Sequence, residues 1–147
     1  MKIFDSKTQS LKIEETILKL LENSDVINKK KLAIIQVGDD TASSKFIDIK
    51  IKLGKSLGIL CEVYKINEKN CSDDEIFLEI INIFKNEDIA GGIVQLPLPR
   101  ESLYKILDII PLEKDIDLIS TKAKERFYSD DFSKLSPVIQ ALKNFSL

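Results

Sequence analysis

Three short runs rich in β-branched residues constrain this chain more than anything else in it: Lys31–Val37 (KLAIIQV), Leu60–Ile66 (LCEVYKI) and Ile89–Leu96 (IAGGIVQL). Each has the length of a strand, and the stretches between them carry helical periodicity. The first and third are apolar on both faces, as strands are when helices cover the sheet on either side. The pattern predicts an α/β fold, a three-layer domain with a mostly parallel sheet flanked by helices. The 147 residues suit one compact domain with one core.

The helices follow from local signals. Over Lys7–Asn23, Ile13, Ile17, Leu20 and Leu21 recur at helical spacing. Thr41 or Ser43 can cap a second helix, which runs to about Leu57 and stops at Gly58. Ser72 and Glu75 form a capping-box pattern ahead of Ile76, Phe77, Ile80, Ile81 and Phe84. Glu101–Ile110 reads as helical, and a polar loop runs from Pro111 through Asp117. Residues 119–135 give no assignable pattern, and Pro137 suits the first turn of a last helix, Val138–Phe145. In such sheets ligands bind beyond the carboxyl ends of the strands. Residues 38–44, 95–99 and 114–117 are therefore expected to meet at one site.

Composition excludes several function classes. A net charge of -2 leaves no basic excess for nucleic acid. No apolar run is long enough to cross a membrane, and Met1–Asp5 opens no signal-peptide core, so a cytoplasmic location is expected. Cys61 and Cys71 have no metal-ligand spacing and read as free thiols of a reducing compartment, with a single disulfide as the alternative. The absence of histidine removes the commonest general base and the commonest transition-metal ligand, and no metal site is expected.

Three polar features stand out against the apolar pattern. On the second helix Phe46, Ile49, Leu53 and Leu57 form an apolar stripe, expected to face the core. Lys50 falls about 40° from Phe46, inside that stripe. Such a lysine either snorkels its ammonium out to water or serves as a general base, since partial burial disfavours an ammonium. Gln95, at the end of a buried run, has a donor and an acceptor to satisfy. It either bonds to loop backbone or orients a neighbouring amine or a polar ligand. In Lys114-Asp115-Ile116-Asp117 the two carboxylates are solvated, bind Mg²⁺, or accept N–H groups of a heterocycle. Asp39-Asp40 carries the same ambiguity and is read as a turn.

In sequence these segments resemble one family. Val37-Gly38-Asp39-Asp40-Thr41-Ala42-Ser43, then Phe46 to Lys52, then Leu57-Gly58-Ile59, is similar to the first signature of the methylenetetrahydrofolate dehydrogenase/methenyltetrahydrofolate cyclohydrolases. Gly92 to Pro99 (GIVQLPLP) resembles the second, and Pro111 to Asp117 (PLEKDID) a third, in the same order and spacing.

The resemblance implies the N-terminal domain of an aminoacid-dehydrogenase-like fold and a role in folate one-carbon metabolism. It makes Lys50 the catalytic lysine and Gln95 the group that holds it. It makes Phe46, Asp117, Leu96 and Pro97 substrate-binding, with the Phe46 ring stacking on folate and Asp117 binding the pterin. The substrate would be a tetrahydrofolate derivative, 5,10-methenyl hydrolysed to 10-formyl. NADP would serve the dehydrogenase reaction only in a full-length parent, because no G-x-G-x-x-G follows a strand here. Residues 1–135 would form the folate-binding catalytic domain, and 136–147 the start of the helix that leads to a Rossmann cofactor domain. The family is homodimeric, an expectation that weakens without that second domain.

Two departures matter. Phe46 stands where the family usually has Tyr, and Leu118 where it usually has Gly, which implies a different course for the pterin loop. Both would suit a folate-binding module that does not turn over. A receiver-type signalling domain is the third reading, from Asp39-Asp40 after the first strand. It needs a phosphoacceptor aspartate at the end of a later strand, where Gln95 stands.

Overall fold

The computed structural model describes residues 5–22, 30–129, 131, 133–137 and 139–140. In chain order the elements are helix α1 (Ser6–Glu22), strand β1 (Lys31–Val37), helix α2 (Thr41–Ser56), strand β2 (Leu60–Ile66), helix α3 (Asp73–Lys85), strand β3 (Ile89–Val94), a 3₁₀ helix (Glu101–Asp108) and helix α4 (Thr121–Tyr128). The sheet is parallel with order β2-β1-β3. This is the expected α/β architecture, with β1 at the centre.

The alternation of β1 divides the molecule into layers. Ala33, Ile35 and Val37 point to one face, where Ile76, Ile80 and Phe84 of α3 and Leu103 and Ile106 of the 3₁₀ helix close the main core. Ile34 and Gln36 point to the other face, beneath α2, by the two-residue period of a strand. The expected capping box opens α3: Ser72 accepts from Glu75 N–H, and the Glu75 carboxylate accepts from Ser72 N–H. Arg100 closes the outer edge of this layer, its Nε donating to Asp73 at 2.7 Å.

Three local expectations are corrected. The cap of α2 is Asp40, not Thr41 or Ser43; its carboxylate accepts from Ser43 N–H at 2.6 Å. The helix therefore starts one residue beyond the Asp39-Asp40 turn. Strand β3 ends at Val94. Gln95 N–H still donates to Ile35 O at 2.8 Å, but the chain then turns into Pro97, which has no N–H to extend the ladder. The region from 119 holds α4, capped by Ser120. A short helix of low apolar content leaves little periodic signal. The last helix expected over Val138–Phe145 lies mostly outside the described residues.

The largest correction concerns the face of α2. Phe46, Ile49 and Leu53, expected against the core, are 59%, 60% and 46% exposed. The buried residues are Ser43, Ile47 and Gly54. Ile47 and Leu57 fill that face together with the small Ser43 and Gly54, and at Gly54 there is no room for a larger side chain. A Cβ on Gly54 would sit 2.4 Å from Cys61 Sγ. Gly58, in the left-handed region at φ 71°, ends the helix as expected, and Ile59 N–H returns to Gly54 O at 2.8 Å. On α1, Ile13 and Leu20 are exposed, while Ile17 and Leu21 are half-buried. Among the described residues no helix is long and apolar enough to cross a membrane. Both cysteines are free.

Candidate functional site

Lys50 reaches the sheet from the middle of the packed face of α2. Stepping 100° per residue, Ile47, Lys50, Gly54 and Leu57 all fall within about 40° of Ser43. The expectation that Lys50 points inward holds, although of the apolar stripe used to predict it only Leu57 is buried, and Phe46, Ile49 and Leu53 are exposed. Lys50 is half-buried, and its Nζ donates to Gln95 Oε1 at 2.7 Å. Gln95, 9% exposed, uses its other end as well: Nε2 donates to Leu96 O at 2.7 Å. Both open readings of Gln95 are therefore realised at once. The backbone bond fixes which way the amide points and presents the oxygen to the amine.

The loop at 111–118 brings the third group. Residues 114–116 run beside β3 as an added edge: Gly92 N–H donates to Lys114 O at 2.8 Å, and Gly92 pairs with Asp115 in a parallel bridge. Ile116 lies across Gly91, where a Cβ would stand 2.8 Å from its Cδ1. Lys114 anchors the loop to the end of α3, donating to Phe84 O at 2.7 Å and Asn86 O at 3.1 Å. Both are carbonyls of a helix terminus, which favours a cation.

The two aspartates of the loop have separate uses. Asp115 is 5% exposed and accepts from Leu118 N–H at 2.9 Å and Ser120 N–H at 3.2 Å. It holds the loop in shape, a structural task that sequence alone did not separate from binding. Asp117 is half-buried and near enough to Lys50 to feel its charge. Burial pushes the Asp117 carboxyl above its usual range; Lys50 opposes this and Asp115 adds to it. Leu118 has φ 51°, in the left-handed region that glycine adopts freely.

Asp117, Leu118 and Ile119 also wall a cavity of about 480 Å³, closed by Ala123 and Phe127 of α4 and by Pro137. Its walls are mainly apolar, and its polar members are Asp117, Lys124, Lys134 and Ser136. That combination suits a flat heterocycle with N–H groups to donate. Phe46 is exposed, one turn before Lys50. Leu96 and Pro97 are exposed beyond Gln95, and Ser43 Oγ donates to Leu96 O at 3.4 Å. Asp40, read from sequence as part of a turn, serves α2 as its cap, and Asp39 pairs with Lys69. Among the described residues no cluster of three or more His, Cys, Asp or Glu side chains could hold a metal ion. Sequence reasoning missed Gln36. It is the penultimate residue of β1, and the signal that pointed to Gln95, a glutamine in an apolar run near the end of a strand, could have found it.

Comparison with known proteins fits this geometry. The family description "Tetrahydrofolate dehydrogenase/cyclohydrolase, catalytic domain" matches residues 4–117. Bifunctional protein FolD of Mycoplasmopsis synoviae is 34% identical over 131 residues, covering 88% of this chain and 46% of that protein. Bifunctional protein FolD of a Nitratiruptor species is 40% identical over 122 residues, covering 80% of this chain and 42% of that protein. The crystal structure of the bifunctional FolD methylenetetrahydrofolate dehydrogenase/cyclohydrolase from Campylobacter jejuni superposes with a TM-score of 0.81 at 29% identity, over 97% of this chain and 52% of that one. The chain spans about half the length of the relatives it matches.

Proposed function

The chain belongs to the tetrahydrofolate dehydrogenase/cyclohydrolase family, and we propose that it binds a tetrahydrofolate derivative and hydrolyses the 5,10-methenyl form to the 10-formyl form. The observation that carries this reading is the Lys50 amine held at 2.7 Å by a buried, oriented Gln95, beside the Asp117 carboxyl. In this reading Lys50 and Gln95 are catalytic, and Phe46, Asp117, Leu96 and Pro97 bind substrate.

The substrate is a cation with its charge spread over N5, the methenyl carbon and N10, so it is already electrophilic. Gln95 takes one N–H of Lys50 and turns the amine toward the pocket. Water adds its oxygen to the methenyl carbon and gives a proton to Lys50. The bond from that carbon to N5 then breaks, Lys50 returns a proton to N5, and the hydroxyl proton leaves to solvent. A formyl group remains on N10. Asp117 accepts N–H groups of the pterin, and the exposed Phe46 ring offers a stacking face. Positioning and one acid/base group account for the chemistry. Dehydrogenase chemistry would in addition use NADP as hydride acceptor. The residues here include no glycine-rich phosphate loop at a helix N-terminus, so they do not fit that cofactor.

Loss of the methenyl chromophore under single turnover tests the reading. Lys50→Met keeps a long side chain and a good helix former, so the fold should persist. The rate should fall by at least about 10²-fold, the usual contribution of a positioned acid/base group. Lys52→Met, on an exposed position of the same helix, should change little. Equal rates in wild type and Lys50→Met would remove Lys50 from the mechanism. Folate binding with no wild-type turnover would make the domain a binding module, the reading that Phe46 in place of tyrosine favours.

A further inference from the structure

We infer that Gln36 is a positioning residue for the Lys50 site: it ties the first turn of α2 to the carboxyl end of β1 and so sets where Lys50 meets Gln95. Its kinetic consequence rests on the folate reading; its structural consequence does not.

Strand register puts Gln36 beside Gln95. Ile34 pairs with Ile93 and Ile35 with Val94, and Gln95 N–H donating to Ile35 O continues that ladder. In a parallel pair, partners share a face, so Gln36, next to last in β1, and Gln95, just past β3, lie side by side on the α2 side. Gln36 is 2% exposed. Its Nε2 donates to Ser44 Oγ at 3.1 Å and to Asp40 O at 3.4 Å. Ser44 Oγ in turn donates to Asp40 O at 3.2 Å. Both partners belong to the opening of α2, where the Asp40 carboxylate already caps Ser43 N–H. One amide thus grips the cap residue and the first turn together.

Ser44 and Lys50 are six residues apart, about 9 Å along the axis of a stiff helix. A shift or rotation of the first turn is carried to Lys50, whose contact with Gln95 depends on approaching the sheet at one height. The burial of Gln36 is otherwise hard to account for. Its Oε1 is buried and accepts no hydrogen bond among the described residues. An unmet carbonyl in a dry place opposes folding, and an apolar side chain of the same size would avoid that cost. Packing therefore does not call for an amide here; holding α2 does.

Two substitutions test this in the full chain. Gln36→Leu keeps the volume and removes the donor, and Ser44→Ala removes the acceptor from the less buried side. In each, turnover of 5,10-methenyltetrahydrofolate should fall between about tenfold and a hundredfold with KM within about twofold, as misplacement of a catalytic group produces. The double variant should be no worse than Gln36→Leu alone, because that change already removes the bonds of the amide to both Ser44 and Asp40. The Lys50 ¹³Cε resonance should move in both single variants while those of Lys45 and Lys52 stay. That signal is read without turnover, so it decides the inference even if wild type proves inactive, a result that would count only against the proposed reaction. Unmoved Lys50 resonances in both variants, or a fall in melting temperature with kcat of the folded protein unchanged, would overturn the positioning role.

Discussion

Asp117 and Leu118 adjoin in the chain but carry opposite kinds of cost. The Asp117 carboxyl is half-buried, and burial raises it above its ordinary 3.8. The folded state therefore holds that proton more tightly than the unfolded chain does. The resulting stabilisation is fully present below 3.8 and is lost as pH rises through the higher folded value. Asp117→Asn has no charge to bury. Its melting temperature relative to wild type should rise across that window and stay higher at neutral pH, while affinity for folate falls. A constant difference across the window would mean that Asp117 ionises as freely folded as unfolded. Leu118 pays in backbone conformation, at φ 51°. A left-handed L-residue costs about 1–2 kcal/mol, and glycine's extra freedom in the unfolded chain costs about 0.5–1 kcal/mol. Leu118→Gly should thus melt near wild type. Leu118→Val, β-branched at positive φ, should melt below wild type. Equal melting of all three would show that the loop does not need this conformation.

The helix α2 shows what periodicity can and cannot say about an element. Its end was legible, since Gly58 stops it; its start was legible only to within a residue or so, because the cap is Asp40 and not Thr41 or Ser43. Its facing was not. Apolar residues at helical spacing, Phe46, Ile49 and Leu53, point to solvent, and Ser43 and Gly54 point to the sheet. A hydrophobic pattern reports which residues prefer burial, whereas the packed face here also depends on how closely the α2 backbone approaches the side chains of β2. Gly54 is the point of approach, since a Cβ there would meet Cys61 Sγ at 2.4 Å. Gly54→Ala should therefore push α2 outward although alanine is the better helix former. The gain of about 1 kcal/mol from propensity is set against overpacking of typically about 1–3 kcal/mol. The variant should melt at or below wild type, and its turnover should fall more than its stability, because Lys50 moves with the helix. Cys61→Ala in the same chain should restore both by opening the space. Melting above wild type for Gly54→Ala alone would show that the contact yields cheaply. The site was legible in part for the same reason. Lys50 and Gln95 were visible as polar residues in apolar runs, and Asp115 and Asp117 as loop carboxylates. Their division of labour needed the loop's bonds to Leu118 and Ser120, which no spacing encodes.

At the scale of the whole molecule, one sheet end collects everything that points to a ligand. The parallel strands β1 and β3 present Gln36, the Gly38 turn and Gln95 at their carboxyl ends, and residues 114–116 add an edge beside β3 that leads to Asp117. The cavity beyond Asp117 is walled mainly by apolar side chains, with Asp117, Lys124, Lys134 and Ser136 among them, and Lys50, held by Gln95, lies on the other side of Asp117 near enough to feel its charge. These are features for a flat, N–H-bearing heterocycle. A dinucleotide asks for something else: a glycine-rich turn from a strand into a helix N-terminus, with backbone N–H groups aimed at pyrophosphate. After β1 the corresponding turn, Gly38-Asp39-Asp40, brings two carboxylates to the start of α2, and Asp40 already occupies Ser43 N–H. Phosphate would meet negative charge where it needs donors. Calorimetry on this chain should therefore show saturable binding of 5,10-methenyltetrahydrofolate and no saturable heat with NADP at the same concentrations. The folate heat should diminish in Asp117→Asn and persist in Lys50→Met, because the first change removes a binding group and the second a group needed for turnover. Tight binding of NADP would place a nucleotide site on these residues and overturn the assignment of this sheet end to folate alone.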